Sequence, residues 1–569
     1  MDLISSWTSN PFPKENTMNN RFIYTLALCS LSAIALLSTG CQKTFEEINT
    51  NRHGVTSEMS SRDGIALGGK VQTLLTSIFP VGTAADGTDV ANQYQVAFHL
   101  NADVLSGYFS ENNNWNGGNN PTTLALVPGW LSEPFKSTYT NIYKPWLEVK
   151  NHPSTEQHPE NFALAQILKI STWHKATDYF GPIPYTKAGS GLYVTPYDSQ
   201  EVVYKSMLKD LDDAIAVLYD YAKLGNQLFA QYDVVYEGNA LNWVKYANSL
   251  MLRIAMRTRY ADATLAQTYA EKALSHPAGV ITTVTEEAKI GNKLGIQFIN
   301  NIETFANQYS EARMSVPMFA YLAGYKDPRI AKYFKPSDHP QAFEVNGNYY
   351  LPYPTGSVAD PSKRPEGNTK NLWNTSIPNI EKTTPTYWLR ASEVYFLRAE
   401  GALYGWQMGG SADELYRKGI ETSFEENGIP ASEVDTYIND DNTPIEVDMS
   451  GIAGANHLFE MKSTATTAFN GSTEEKLEKI ITQKWLALFP NGMEAWSEWR
   501  RTGYPYIARP MVFRGAPIVD PDMKIRRLQY PINPARSAED QKVYDEAVKL
   551  LGGEDNAATR LWWDKKNFQ

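Results

Sequence analysis

Apolar residues recur along this chain at helical spacing, in blocks separated by long polar stretches. Leu477, Ile480, Ile481, Trp485 and Leu488 share one face with Lys484 as its single polar member, the repeat of a helix with one buried side. Trp243, Ala247, Leu250, Met251 and Ile254 follow the same spacing, as do Ala412, Leu415, Tyr416, Gly419 and Ile420. Val203, Met207, Leu211, Ala214, Ile215 and Leu218 form a longer stripe. Asp198, after Pro196 and three residues before Glu201, predicts an N-cap with a capping-box partner for that helix. Further helices are predicted over 160–176, 262–275, 391–404 and 538–551.

Amphipathic helices of this kind have to bury their stripes on one another. Large and small residues alternate on several faces, as at Tyr395, Ala399 and Ala402, which resembles the packing of tetratricopeptide helix pairs without a clean repeat period. The expected fold is all-α: a helical scaffold of degenerate tetratricopeptide-like pairs carrying long irregular insertions with minor β-hairpin content. The insertions are 108–130, 340–375 and 427–475. In the second, Asn346-Gly347 between alternating residues is a strong hairpin signal. Loops this long within a compact protein are commonly functional.

The N-terminal region changes the picture of where the protein resides. The apolar run Phe22–Leu37 follows Arg21, leads into Ser38-Thr39-Gly40-Cys41 and turns polar at once. It is short and rich in Ser and Thr for a bilayer span, which needs about 20 apolar residues. The pattern resembles a bacterial lipoprotein signal in which Cys41 becomes the acylated first residue. Ser38 departs from it, since Leu is usual there. Met18 stands where the polar head of such a signal should begin, so translation is expected to start there. Residues 1–40 are thus read as an N-terminal extension plus signal, and 41–569 as one binding domain.

Of 569 residues, 63 are acidic and 52 basic, a net charge of −11. With no Lys/Arg clusters, nucleic acid is a poor candidate partner. The two cysteines, Cys29 and Cys41, leave no disulfide for the domain if one is cleaved and the other lipidated. The chain lacks a nucleophile elbow, a zinc-protease motif, a phosphate loop and a dinucleotide fingerprint. Its eight histidines show no metal-ligand pair at helical spacing, and Asp440-Asp441-Asn442 lacks the spacing of a calcium loop. No cofactor and no metal are expected, and nothing argues for an enzyme. Aromatic residues are abundant, at 12% with 33 Tyr and 14 Trp. Such rings suit stacking on sugars or packing against peptides.

Four blocks occur in order: Ala176-Thr-Asp-Tyr-Phe-Gly-Pro-Ile-Pro-Tyr185 after a helix ending at Lys175, Ala391–Glu400, Lys484–Pro505 and Arg526-Arg-Leu-Gln-Tyr-Pro531. With Cys41 and Phe45-Glu-Glu-Ile-Asn-Thr-Asn51, they resemble the SusD/RagB family of nutrient-binding outer-membrane lipoproteins of Bacteroidetes, from Cys41 to about Trp563. Trp496, Trp499, Arg500 and Arg501 are expected to pack and cap rather than touch ligand. The resemblance implies a cell-surface protein, anchored in the outer membrane by lipid, that passes a nutrient to a SusC-like TonB-dependent transporter without catalysis. It leaves the cargo open between a glycan and, as in some relatives, a peptide. A helical-repeat scaffold that only holds other proteins is the third reading.

Six asparagines and a tryptophan between Glu111 and Asn120 favour sugar. Trp115 is the expected stacking platform, a large ring among Asn and Gly with few apolar neighbours to bury it. Asn114 and Asn116 are expected to hydrogen-bond hydroxyls. Tyr108, Trp130, Tyr350, Tyr353 and Trp373 are further candidates from the same insertions.

Overall fold

Each predicted stripe is a helix in the computed structural model, which describes residues 65–357, 374–452 and 455–567. The principal helices are α1 (Ile65–Ser77), α2 (Asp89–Tyr94), α3 (Asn141–Lys150), α4 (Pro159–Phe180), α5 (Gln200–Ala222) and α6 (Ala240–Arg257). They continue with α7 (Ala263–Ser275), α8 (Ala391–Leu403), α9 (Ala412–Glu426), α10 (Thr473–Leu488), α11 (Gly492–Thr502) and α12 (Ala538–Leu551). Neighbours in sequence pack in pairs, α4 on α5, α6 on α7 and α8 on α9, with α5 also against α6 and α8 against α10. The fold is all-α and tetratricopeptide-like, as expected.

Serines start several of these helices. Ser411 with Glu414, Ser472 with Glu475 and Ser537 with Asp540 form reciprocal capping boxes at α9, α10 and α12. At α5 the N-cap is Ser199, whose side chain accepts from Val202 N, and not Asp198. Asp198 instead accepts from the backbone N–H groups of Tyr185 and Thr186, which ties down the turn after α4. Helix α4 runs four residues beyond the predicted end at 176, to Phe180, because Tyr179 and Phe180 are buried and Gly181 takes the positive φ of 89° that stops it.

Buried charges cross-link the helices. Arg257 of α6 donates to Glu494 (2.6 Å) and to Glu498 of α11. Arg501 donates to Glu400 of α8 at 2.6 and 2.7 Å and to Glu498 at 2.7 Å. Burial alone would raise the Glu498 carboxyl, yet Arg501, Lys484 and Arg257 hold it well below the usual carboxylate range. Trp496 and Trp499 are buried beside them, and Arg500 donates to the backbone carbonyls of Asp178 and Arg526. The conspicuous Trp/Arg block is therefore frame.

Strands are short. β1 (Phe109–Glu111) pairs antiparallel with β3 (Ala312–Met314), β2 (Ala288–Ile290) with β6 (Thr386–Leu389), and β4 (Phe343–Val345) with β5 (Asn348–Tyr350). The last pair is the predicted hairpin, with Asn346 and Gly347 at φ of 51° and 77°, the backbone a two-residue hairpin turn needs.

Candidate ligand-binding site

Strand β1 delivers the chain into the asparagine-rich loop, and a π-helical segment, Gln95–Asp103, braces its base. Such wide turns shift side chains out of α-helical register and are frequent at functional sites. His99 Nε2 lies 2.7 Å from Glu111 Oε1 and its Nδ1 3.4 Å from the Asp103 carboxylate. Burial would lower this imidazole, but Glu111 and Asp103 raise it to about 9. Gln95 Nε2 donates to Glu311 Oε2 (2.8 Å), and Asn113 Nδ2 donates to the other oxygen of that carboxylate (2.9 Å). Burial and the nearby Glu111 push Glu311 up. Asn112 Nδ2 donates to Ser310 O at 2.7 Å. The loop is anchored by polar bonds to residues nearly 200 positions away in the chain.

Beyond that base the loop holds itself. Asn116, Gly117 and Gly118 all take positive φ, where asparagine and glycine are tolerated best. Asn116 Nδ2 donates to Asn119 O (2.8 Å), Asn120 Nδ2 to Trp115 O (2.8 Å) and Thr123 Oγ1 to Gly118 O (2.7 Å). Arg514 Nη1 donates to Gly117 O from across the fold. Most of the asparagine amides therefore shape the loop. Two polar atoms, Asn114 Oδ1 and Trp115 Nε1, are buried without a hydrogen-bond partner.

The loop brings two candidates together. Trp115 and Trp130, each half-buried, meet edge to face at 6.1 Å and 78°. Trp130 and Gly129 line an open groove of about 590 Å³, whose polar wall includes Asp89, Asn92, Gln93, Glu133 and Lys136. Two indoles beside amide and charged groups can hold a flat, hydroxylated ring by stacking and directed hydrogen bonds. The groove's polar residues were missed by sequence reasoning because they lie on α2 and the short helical stretch 132–136, which carry no local signal.

The remaining candidates stand elsewhere. Tyr108 is fully buried between Trp485 and Phe489, at 5.3 and 5.4 Å, and its hydroxyl donates to Trp485 O. It has no free face and belongs to the core. Tyr350 is also fully buried, because strand alternation turns Tyr349 outward at 54% exposure and Tyr350 inward. Tyr353 is buried as well and bridges to Ser315. Asn116 is exposed but spends its amide N–H on Asn119. Trp373 and Cys41, like Met18 and Phe45–Asn51, lie outside the described residues.

Residues 47–564 match the model of the SusD-like family, described as the SusD and RagB outer membrane lipoproteins. This chain belongs to that family. A chitin-binding SusD homologue from Flavobacterium johnsoniae is 33% identical with a TM-score of 0.77, over 88% of this chain and 98% of its own. A SusD homologue from Bacteroides ovatus is 32% identical at a TM-score of 0.78, covering 89% of this chain and 100% of its own. One from Bacteroides vulgatus, with the same identity and coverage, reaches 0.79. No curated protein matches the chain. Among the described residues, no helix is long and apolar enough to cross a membrane.

Proposed function

We propose that this chain is a surface lipoprotein, acylated at Cys41, that captures an oligosaccharide at the Trp115–Trp130 edge and hands it to a SusC-like TonB-dependent transporter, with no catalysis of its own. The observation that carries the reading is that half-open indole pair, with Trp130 on the wall of a groove and Trp115 edge to face against it. The match to a chitin-binding homologue supports sugar over peptide. Family membership supports the anchor and the transporter.

Titration of the purified protein against a panel of glycans and peptides tests the cargo. Binding to an oligosaccharide is the expected result. Binding to peptides alone transfers the site to the peptide-binding reading, and binding to neither, with a barrel still recovered in a mild-detergent pull-down, makes the chain a scaffold. Release of Cys41→Ala from the outer-membrane fraction checks the anchor.

A further inference from the structure

A second groove, of about 600 Å³, draws six of its seventeen lining residues from tyrosine. Tyr197, Tyr530 and Tyr544 form a row, with Tyr197 edge-on to Tyr530 at 5.6 Å and 89°, and Tyr544 on its other side at 6.1 Å and 81°. Tyr193 stands at the rim, 94% exposed, between Leu192 at 53% and the inner wall. Nothing about folding calls for a ring so fully in water. Yet the turn that presents it is fixed. Gly189 (φ 72°) lies so close to α3 that a Cβ there would meet Leu147 at 2.9 Å, its N–H donates to the Tyr143 hydroxyl at 3.2 Å, and Ser190 Oγ donates to Lys187 O.

The rim adds the amide of Asn533, the hydroxyls of Thr140 and Thr195, and the oppositely charged Arg536 and Asp540. Arg536 lies 3.9 Å over the Tyr544 ring and donates to Pro531 O. Asp540 is occupied as the capping-box partner of Ser537. One positive and one negative side chain at the rim leave the groove without net charge, which suits a neutral ligand. The partly open rings of Tyr143 and Tyr197 and the exposed ring of Tyr193, beside neutral hydrogen-bonding groups, fit the C–H face and hydroxyls of a pyranose ring.

Its position gives the groove a role. Ser132, Glu133 and Lys136 line the groove at Trp130, while Phe135, Tyr139, Thr140 and Tyr143 line the tyrosine groove. One helical run is thus the wall between the two, and a helix with its side chains is only about 10–12 Å across. We infer that the tyrosine groove is a second sugar-binding subsite, and that the protein grips an extended neutral glycan on both sides of this wall. The inference rests on the glycan reading above. Two subsites joined by one ligand act through effective concentration, so affinity grows with chain length beyond what either contributes alone.

Calorimetric titration of dimers and hexamers from the chito-, malto-, cello- and xylo-oligosaccharide series tests this on the full mature protein. The wild type is expected to bind the preferred hexamer at least tenfold more tightly than its dimer. Tyr193→Ala, a change at a solvent-exposed ring, is expected to erase that length advantage while leaving dimer binding at the tryptophans. Equal hexamer affinity in Tyr193→Ala and wild type, with Trp115→Ala weakening binding roughly tenfold or more, overturns the second subsite and leaves the glycan reading standing. Failure of the wild type to bind any of the series brings down both. Loss of barrel recovery in Tyr193→Ala with unchanged sugar affinity assigns the groove to protein docking and overturns the inference.

Discussion

Two stretches of this chain look alike as sequence, Met493–Arg501 and Asn112–Trp130, each mixing tryptophan with strong hydrogen-bonding side chains. They end in opposite states. In the first, Trp496 and Trp499 are enclosed and Arg501 is shared between Glu400 of a distant helix and Glu498 of its own. In the second, Asn116, Asn119 and Asn120 bond to carbonyls within five residues while Asn112 and Asn113 reach Ser310 and Glu311, and Trp115 and Trp130 remain half-open. The difference lies in partners. Charged groups with long-range counter-ions pull the chain into the frame, whereas the loop is tied down only at its base and by Arg514, and the amides at its tip are satisfied locally.

Substitutions on either side should separate the two behaviours. The largest effect is expected in the frame: Arg501→Met leaves Glu400 and Glu498 buried without their shared guanidinium, which should cost about 3–5 kcal/mol. Denaturant unfolding measures this, and a loss under about 1 kcal/mol would show that the frame does not depend on the pair.

The loop's base should respond to pH. His99 is raised from 6.5 to about 9 by Glu111 and Asp103, so its charged form stabilises the fold fully below pH 6.5. That contribution is lost as pH rises through about 9 and totals on the order of 3 kcal/mol. Unfolding midpoints of the wild type should fall across this window, and those of His99→Gln should fall less. Parallel curves would mean that the imidazole does not carry the charge that the geometry assigns it.

Trp115→Ala should separate stability from binding. Oligosaccharide affinity is expected to fall by about 1–3 kcal/mol, roughly tenfold or more, the range for a large apolar contact. The unfolding midpoint should move little, because the ring is only half-buried. Unchanged affinity in a folded variant would place the platform elsewhere. The smallest expected effect is a control on the frame's surface: Ser472→Ala removes the cap of α10 and should cost about 1 kcal/mol of stability without touching affinity.

By itself, the sequence determined the helices of the apolar stripes and the hairpin, since apolar spacing and Asn346-Gly347 act over a few residues, whereas it misplaced the cap of α5 by one residue and gave no sign of α1, α2 and α3. It also carried the family, through motifs that turned out to be frame. The loop at Trp115 was legible as a turn-rich insertion, but its half-burial was not, because Arg514 and Trp130 arrive from elsewhere to meet it. Tertiary structure alone decided which aromatics face solvent. Tyr108 is sealed by Trp485 and Phe489, nearly 400 residues on. Tyr350 is turned inward by strand register, and the tyrosine groove is assembled from segments near 140, 195 and 535. A ring's exposure depends on what arrives from far along the chain to cover it. Local patterns record the backbone's preferences and not those arrivals.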